Sequence, residues 1–379
     1  MNKIKRIPVF DSLYEANEEK YIIDVIRSGR ISSQGEYVLK FEDSFAGYLG
    51  SSNGITVANG TAALETAYYA INLSKGDEII MPSFTIISCA IGAIRLGAIP
   101  VFVDVEDKNW GINPNLIEAE ITSKTKAILA VHMYGHPCNM DPIMRIAKKY
   151  GLIVIEDASQ VHGADYKGTK CGNIGHISTF SFYANKIIST GEGGMVVTSN
   201  NDFAIRARDY RNLCFLPEKR FYHTELGNNY RMGALQAAVG LAQLENIEEV
   251  LKIKIKNGKV YRDYLKKIPG VQIQEESPNC TMVYWMYCAV IVKETEKSRE
   301  QITKMLRTKY KIDTRPFFIG LHEQPVIINY LSSQGIKMNS KKLPITEFIS
   351  KRGLYFPSGL NLSSSEIEYV CDSFKSLLS

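Results

Sequence analysis

The chain has 379 residues, 45% of them hydrophobic and 22% charged, with 45 basic against 40 acidic side chains and a net charge of +5. Those proportions belong to a soluble globular protein that can bury a core of its own; they exclude general disorder and offer no concentrated basic face for nucleic acid. At about 150 residues per domain, the length predicts two or three domains. Seven cysteines at wide spacing, an odd number with no CxxC pair, make neither a disulfide framework nor a zinc site and fit a reducing cytoplasm. The opening MNKIKRIPVFDS has no apolar stretch that would serve as a signal peptide.

From about residue 55 to 200, short apolar runs alternate with segments of helical period. Runs at 78–81, 100–105, 127–132, 152–156, 178–182 and 195–198 predict strands, and 61–73, 86–96 and 142–150 predict helices. Near-continuous apolar strands separated by helices predict an α/β fold, a mostly parallel sheet with helices on both faces. The stretch 79–103 imitates a membrane span, since Arg95 is its only charge. Pro82, Gly92, Gly97 and Pro100 punctuate it, so it is read as strand, buried helix, strand. Beyond Gly233, residues 234–265 predict a long helix broken near Asn246 or Gly258. Residues 270–379 mix a strand-like piece at 282–292 with helices at 298–310 and 364–378, which predicts a smaller α/β domain. The expected division is 1–245 and 246–379. In such sheets ligands bind beyond the carboxyl ends of the strands.

Three segments there carry groups with chemical potential. Asn59-Gly60-Thr61-Ala62 opens a helix, and its free amides and hydroxyl suit a phosphate, although the same residues cap ordinary helices. Glu156 and Asp157 end a strand and point opposite ways. One of them could hold a proton on a ring nitrogen or bind a metal, though no compact His/Asp set accompanies them. Ser181-Phe182-Tyr183-Ala184-Asn185-Lys186 leads a strand into a loop where apolar surroundings can lower a lysine pKa enough for nucleophilic attack. The GEGG that follows lacks the GK[ST] ending of a Walker loop. Each segment alone has an ordinary structural reading. Together, a phosphate cradle, an acid for a pyridinium nitrogen and a lysine able to form a Schiff base are what pyridoxal 5'-phosphate requires. His132 and His136 lie four apart but flank a strand exit, so no metal is expected.

The segments VANGTAALETA, GDEIIMPSFT, GAIPVFVDV, TKAILAVHMYGHPCNMDPI, GLIVIEDASQVHGADYKG, FSFYANKIISTGEGGMVVT, GNNYRMGALQAAVGLAQLE and RPFFIGLHEQP run through nearly the whole chain. In this order they resemble the DegT/DnrJ/EryC1/StrS family of sugar aminotransferases. Within it, FSFYANKIISTGEGGM, NYRM with QAAVGLAQLE, and YWMY are most similar to GDP-perosamine synthases. The resemblance implies the pyridoxal-phosphate transferase fold type I and a homodimer or larger assembly with shared active sites. It implies that Lys186 bonds the cofactor and shuttles a proton, and that Asp157 pairs with the ring nitrogen. Gln160 would bond the ring hydroxyl. Gly60, Thr61, Ala62 and Ser181 would hold the phosphate, and Asn229 would reach the phosphate of a neighbouring subunit. Ile86 would cover the ring where an aromatic residue is usual. His162, Tyr183, Arg231 and His322 are the expected substrate contacts. Asn228, Ile319 and Gly320 also depart from the pattern.

The implied reaction moves an amino group from glutamate to a keto-sugar nucleotide, at C4 of a 4-keto-6-deoxy sugar. Its setting would be cytoplasmic synthesis of a surface polysaccharide such as capsule or lipopolysaccharide, with neither a nucleic-acid nor a membrane partner. Three alternatives stand beside it. The acceptor could be a small phosphorylated ketone such as a triose phosphate. A dehydratase of the family would carry histidine at the lysine position, which Lys186 argues against. A non-catalytic regulatory protein on the same fold would have no need to keep Asp157, Gln160, Ser181 and Lys186 together.

Overall fold

A computed structural model describes residues 6–216, 218–336 and 342–378; residues 1–5 and 337–341, parts of the two expected domains, lie outside the described residues. Helices α1 (Glu18–Ser28) and α2 (Glu36–Leu49) come first, and neither is signalled by the apolar runs above. The helix α2 buries Phe41 and Phe45 against Phe182, with Phe45 also meeting Phe180. Each fully buried phenylalanine contributes roughly 1.5–3 kcal/mol by leaving water.

The chain then alternates: β1 (Asn53–Val57), α3 (Gly60–Ala70), β2 (Glu78–Pro82), α4 (Ser88–Arg95), β3 (Ile99–Val103), β4 (Thr125–Val131), α5 (Met140–Tyr150) and β5 (Ile153–Asp157). A short hairpin of β6 (Asp165–Tyr166) and β7 (Thr169–Lys170) precedes β8 (Ile177–Ser181), β9 (Gly194–Thr198) and α6 (Asn201–Arg211). Seven of these strands form one sheet in the order β1-β9-β8-β5-β4-β2-β3. It is parallel except at β9, which runs antiparallel to both β1 and β8. The span-like stretch resolves into β2, α4 and β3, as expected, with α4 starting two residues later than its periodicity suggests.

The long helix breaks at Asn246 into α7 (Ala234–Glu245) and α8 (Ile247–Leu265). Then follow β10 (Val271–Gln272), β11 (Cys280–Thr281), β12 (Tyr287–Ile291), α9 (Arg299–Thr308), β13 (Arg315–Pro316), α10 (Pro325–Ser333), α11 (Pro344–Arg352), β14 (Gly353–Phe356) and α12 (Ser364–Leu378). A four-stranded antiparallel sheet, β10-β12-β14-β13, carries a second core around Tyr261, Tyr287, Phe356 and Phe374. The larger core still takes in Val283, Trp285, Phe317 and Leu321 from the C-terminal part. The strand expected at 282–292 is shorter than its composition suggests. Val283 and Met286 donate their amides to the carbonyls of Gly135 and Tyr134, and Tyr284 takes φ +49°, so strand pairing begins only at Tyr287.

Candidate active site

At the carboxyl end of β5 the two acids part company. Glu156 turns inward: it bonds His132 at 3.0 Å and accepts the amides of Gly172 (2.8 Å), Ile174 (2.8 Å) and Gly175 (2.6 Å). Burial works to raise its pKa, but His132 and those amides hold it below the usual carboxylate range. It is thus a fastener for the loop after β7. Asp157 turns the other way. Its Oδ1 accepts the Ser159 amide at 3.0 Å, and its Oδ2 accepts the Cys89 thiol at 3.4 Å. Burial pushes the Cys89 thiol well up, so it stays protonated and can donate.

Asp157 lines a cavity of about 590 Å³ that also gathers Gly60, Thr61, Ala62, Ile86, Gln160, Ser181, Tyr183 and Lys186. Lys186 reaches it from the loop after β8, in a turn closed by its own amide on the Tyr183 carbonyl at 2.8 Å. As a residue Lys186 is half-buried, but its amino group lies in the enclosed part, where burial lowers its pKa to about 8 against the opposing charge of Asp157. The amino end of α3 faces the same space. There Asn59 caps the helix by accepting the Ala62 amide at 2.9 Å, so that amide is already engaged. Gly60 is required by packing: a Cβ would lie 2.7 Å from Ser181 Cβ and 3.1 Å from Ser181 Oγ. Gly194 of the GEGG turn is held likewise, since its Cβ would lie 2.5 Å from the Asn59 carbonyl. Gln160 accepts the Tyr134 amide at 2.7 Å, which fixes its side-chain amide at the cavity wall.

Four expected site residues do not reach this cavity. Among the described residues His162 has no partner of hydrogen-bond geometry on either ring nitrogen, and it packs among Phe45, Phe180 and Phe182. Burial, then the charge of Lys186, pushes its pKa to about 3, so it is a neutral ring in an apolar nest. His322 bonds Ser83 Oγ through Nδ1 at 2.7 Å and through its amide at 3.1 Å, which ties the turn just after β2 to the C-terminal part. Asn229 accepts Arg231 Nε at 2.8 Å, and Arg231 donates to Asn212 Oδ1 at 3.1 Å, beside a separate arginine-lined cavity of about 440 Å³. Two of the other departures have local explanations. Asn228 joins Tyr210 and Tyr230 on Glu65, and Gly320 has no room for a Cβ, which would sit 2.7 Å from the His322 ring.

The cavity also has walls to which the sequence reading gave no role: Tyr230, Trp285 and Phe318, which lie within motifs, and Arg95 and Tyr355, which do not. Arg95, the lone charge in the span-like stretch, bonds Glu65 at 3.1 Å. Trp285 is one of only two tryptophans, and Lys186 Nζ lies 3.8 Å from its ring centroid. Besides the motifs that contain Tyr230, Trp285 and Phe318, the available signals were the rarity of tryptophan and the misplaced charge of Arg95. Among the described residues no group of three or more His, Cys, Asp or Glu side chains could hold a metal ion.

A lysine amine, a carboxylate, a helix amino end packed close against a serine, and a fixed side-chain amide around one cavity are the donor set that pyridoxal phosphate needs. The fold and this site define a pyridoxal-phosphate aminotransferase. The chain belongs to the DegT/DnrJ/EryC1/StrS aminotransferase family, whose model matches residues 13–375. It is 38% identical over 377 residues to the GDP-perosamine synthase of Escherichia coli O157:H7, covering 99% of this chain and 100% of that protein. It is 36% identical to the GDP-perosamine synthase of Caulobacter vibrioides, covering 100% of both. The solved aminotransferase from Psychrobacter cryohalolentis superposes with a TM-score of 0.89 at 29% identity, covering 98% of each chain.

Proposed function

We propose that this chain moves an amino group from glutamate to C4 of a nucleotide-bound 4-keto-6-deoxy sugar. The setting is cytoplasmic synthesis of a surface polysaccharide such as capsule or lipopolysaccharide. The observation that carries the reading is the convergence of Lys186, Asp157 and the amino end of α3 on one cavity. Full-length likeness to two GDP-perosamine synthases supports the acceptor class. Pyridoxal phosphate, when bound, supplies an aldehyde that takes up and gives back the amino group and a ring that stores electron density between the two.

The chain's own residues do the rest. Lys186, with its pKa near 8, is roughly one-tenth neutral at pH 7, whereas a free lysine is neutral in fewer than one in a thousand molecules. Its Nζ therefore has a lone pair available for bonding and for carrying a proton. Asp157 holds the proton on the ring nitrogen, itself oriented by Ser159 and Cys89. Gln160 donates to the ring hydroxyl. The amides of Gly60 and Thr61, with Ser181 Oγ, hold the phosphate, and Ala62 lines the wall beside them. Ile86 gives apolar cover, and Tyr183, half-exposed at the rim, faces the acceptor.

Asn229 and Arg231 serve the cavity of a second copy in a homodimer. Exposed apolar side chains on the same loop, Phe221 at 83% and Leu226 at 92%, support such a contact. The break between α7 and α8 is taken as the boundary of the two domains.

The test is glutamate-dependent turnover against a panel of keto-sugar nucleotides and phosphorylated ketones, alongside absorbance of the lysine-bound cofactor. Turnover on a phosphorylated ketone but on no nucleotide sugar would move the acceptor. Neither band nor turnover, even with cofactor added, would sink the reading.

A further inference from the structure

Lys254, in the middle of α8, is 1% exposed. Among the described residues it has no carboxylate partner. Its ammonium donates to two main-chain carbonyls, Trp285 at 2.9 Å and Ser358 at 2.8 Å, and lies 4.7 Å over the Tyr287 ring. Burial lowers its pKa to about 7. A cation without a counter-charge is an expensive way to join two carbonyls, since a buried charge is ordinarily paired. What it joins is informative. Ser358 donates its amide to Val9 at 2.7 Å, which fixes the N-terminal arm. Trp285 is the wall on which Lys186 rests.

The tryptophan is fixed from three sides. Its carbonyl is held by Lys254; its indole N–H donates to the Asn185 carbonyl at 2.6 Å, one residue before Lys186. Its ring lies 16° from parallel to Tyr134, with centroids 6.1 Å apart. Gly135 leaves room for the main chain to pass, since a Cβ there would lie 2.5 Å from the Trp285 nitrogen. The result is a platform joined to the lysine's own loop by one bond and to α8 by another. Lys186 must leave a resting place each time it bonds a ligand and return when it lets go. A ring face 3.8 Å from Nζ favours its charged, resting form without a competing covalent or ionic bond.

We propose that Trp285 is a positioning residue that parks Lys186 at the cavity, and that Lys254 positions Trp285. The inference rests on reading Lys186 as the residue that bonds the cofactor. Other groups near Lys186, namely Asp157 on β5, Cys89 on α4, His162 behind β8 and Glu192 and Arg95 at the cavity wall, are untouched by the variants below.

The experiment uses the full chain carrying Trp110→Phe, which leaves Trp285 as the sole indole. Trp110 is a suitable one to remove because its ring nitrogen has no hydrogen-bond partner among the described residues. Pyridoxal phosphate is mixed with cofactor-free protein, and capture by Lys186 is followed by absorbance and by quenching of Trp285 emission, from pH 6 to 10. Trp285→Leu should lower the pH midpoint of the rate, because the resting cation has lost its ring, and should slow capture by about tenfold above that midpoint, where the amine is neutral in both proteins and only its positioning differs. Trp285→Phe, which keeps an aromatic face, should recover most of the rate. Lys254→Met should shift Trp285 emission and slow capture as Trp285→Leu does. If Lys254→Met does not fold, the two Trp285 variants decide alone. Capture by Trp285→Leu at the parent rate, with the same midpoint, overturns this inference while leaving the function reading standing. Failure of the parent to capture cofactor overturns both.

Discussion

Alanine at position 60 would place a methyl carbon 2.7 Å from Ser181 Cβ and 3.1 Å from its hydroxyl oxygen. Carbon pairs are at their best near 3.5–4.0 Å, so a gap of roughly 1 Å must open between the amino end of α3 and β8. Overpacking of this kind costs about 1–3 kcal/mol. The backbone at Gly60 is not left-handed, so alanine meets no φ penalty. Alanine also favours helix over glycine by about 1 kcal/mol in a helix interior. Free protein can relax by letting the two segments part. Bound cofactor cannot, because its phosphate needs amides and Ser181 hydroxyl at one distance. The relief is then lost on binding, and affinity for pyridoxal phosphate should fall by roughly 5- to 150-fold, at 1.4 kcal/mol per tenfold. The assay is an absorbance titration of cofactor-free Gly60→Ala, with its melting temperature measured in parallel. Affinity equal to the parent's, in a protein that melts normally, would refute the idea that this close approach shapes the cradle.

Lys186→Ala should abolish both the absorbance of bound cofactor and turnover, read by spectrum and by amine transfer from glutamate. The capture rate in the parent should climb with pH and level off above a midpoint near pH 8, as burial sets it; a midpoint near the ordinary lysine value would contradict that cause. His162 is buried neutral, with its pKa lowered to about 3, so stability should fall as pH drops from about 6.5 towards 3, where the unfolded chain takes a proton that the folded chain refuses. His162→Phe should flatten urea midpoints over that window, and an unchanged slope would mean the ring is already charged. Glu156→Ala strands His132 and three amides in the interior and should cost about 3 kcal/mol or more in denaturant unfolding. Asp157→Ala should instead leave the melting temperature of the cofactor-free protein nearly unchanged while cofactor binding is lost.

Much of the sheet could be read from its apolar runs because parallel strands are buried on both faces and their sequences show it. The two acids at the end of β5 separated as alternation requires, and Lys186 came out beside Asp157 as the motif order implied. Of the two breaks expected in the long helix, the one at Asn246 is present, whereas α8 runs unbroken through Gly258. What stayed hidden depends on distance along the chain. Nothing near residue 254 says that its ammonium meets the carbonyl of Trp285, 31 positions on. The reversed direction of β9 has no local signature, since an all-buried antiparallel strand reads like a parallel one. Composition alone made 282–292 a strand, but two of its residues, Val283 and Met286, hang instead on the turn at Tyr134 and Gly135. Arg231 and Asn229 sit in recognisable motif positions, yet one chain turns them towards each other and away from its own cavity.

The seating of β9 between β1 and β8 sets a clock on biosynthesis. Asn53 pairs with Thr198 and Val57 with Gly194, so the first strand has no neighbour until the seventh of the sheet has been made. At about 5–20 residues per second, a ribosome needs on the order of ten to thirty seconds to supply the missing partner. Throughout that interval Ile55 and Val57, both wholly buried in the finished protein, lie on an unpaired strand. Such an edge invites pairing with other chains. Yield of native protein at low temperature or under rapid overexpression should therefore depend on what shields residues 53–57 while they wait, long before the cavity they help to frame exists.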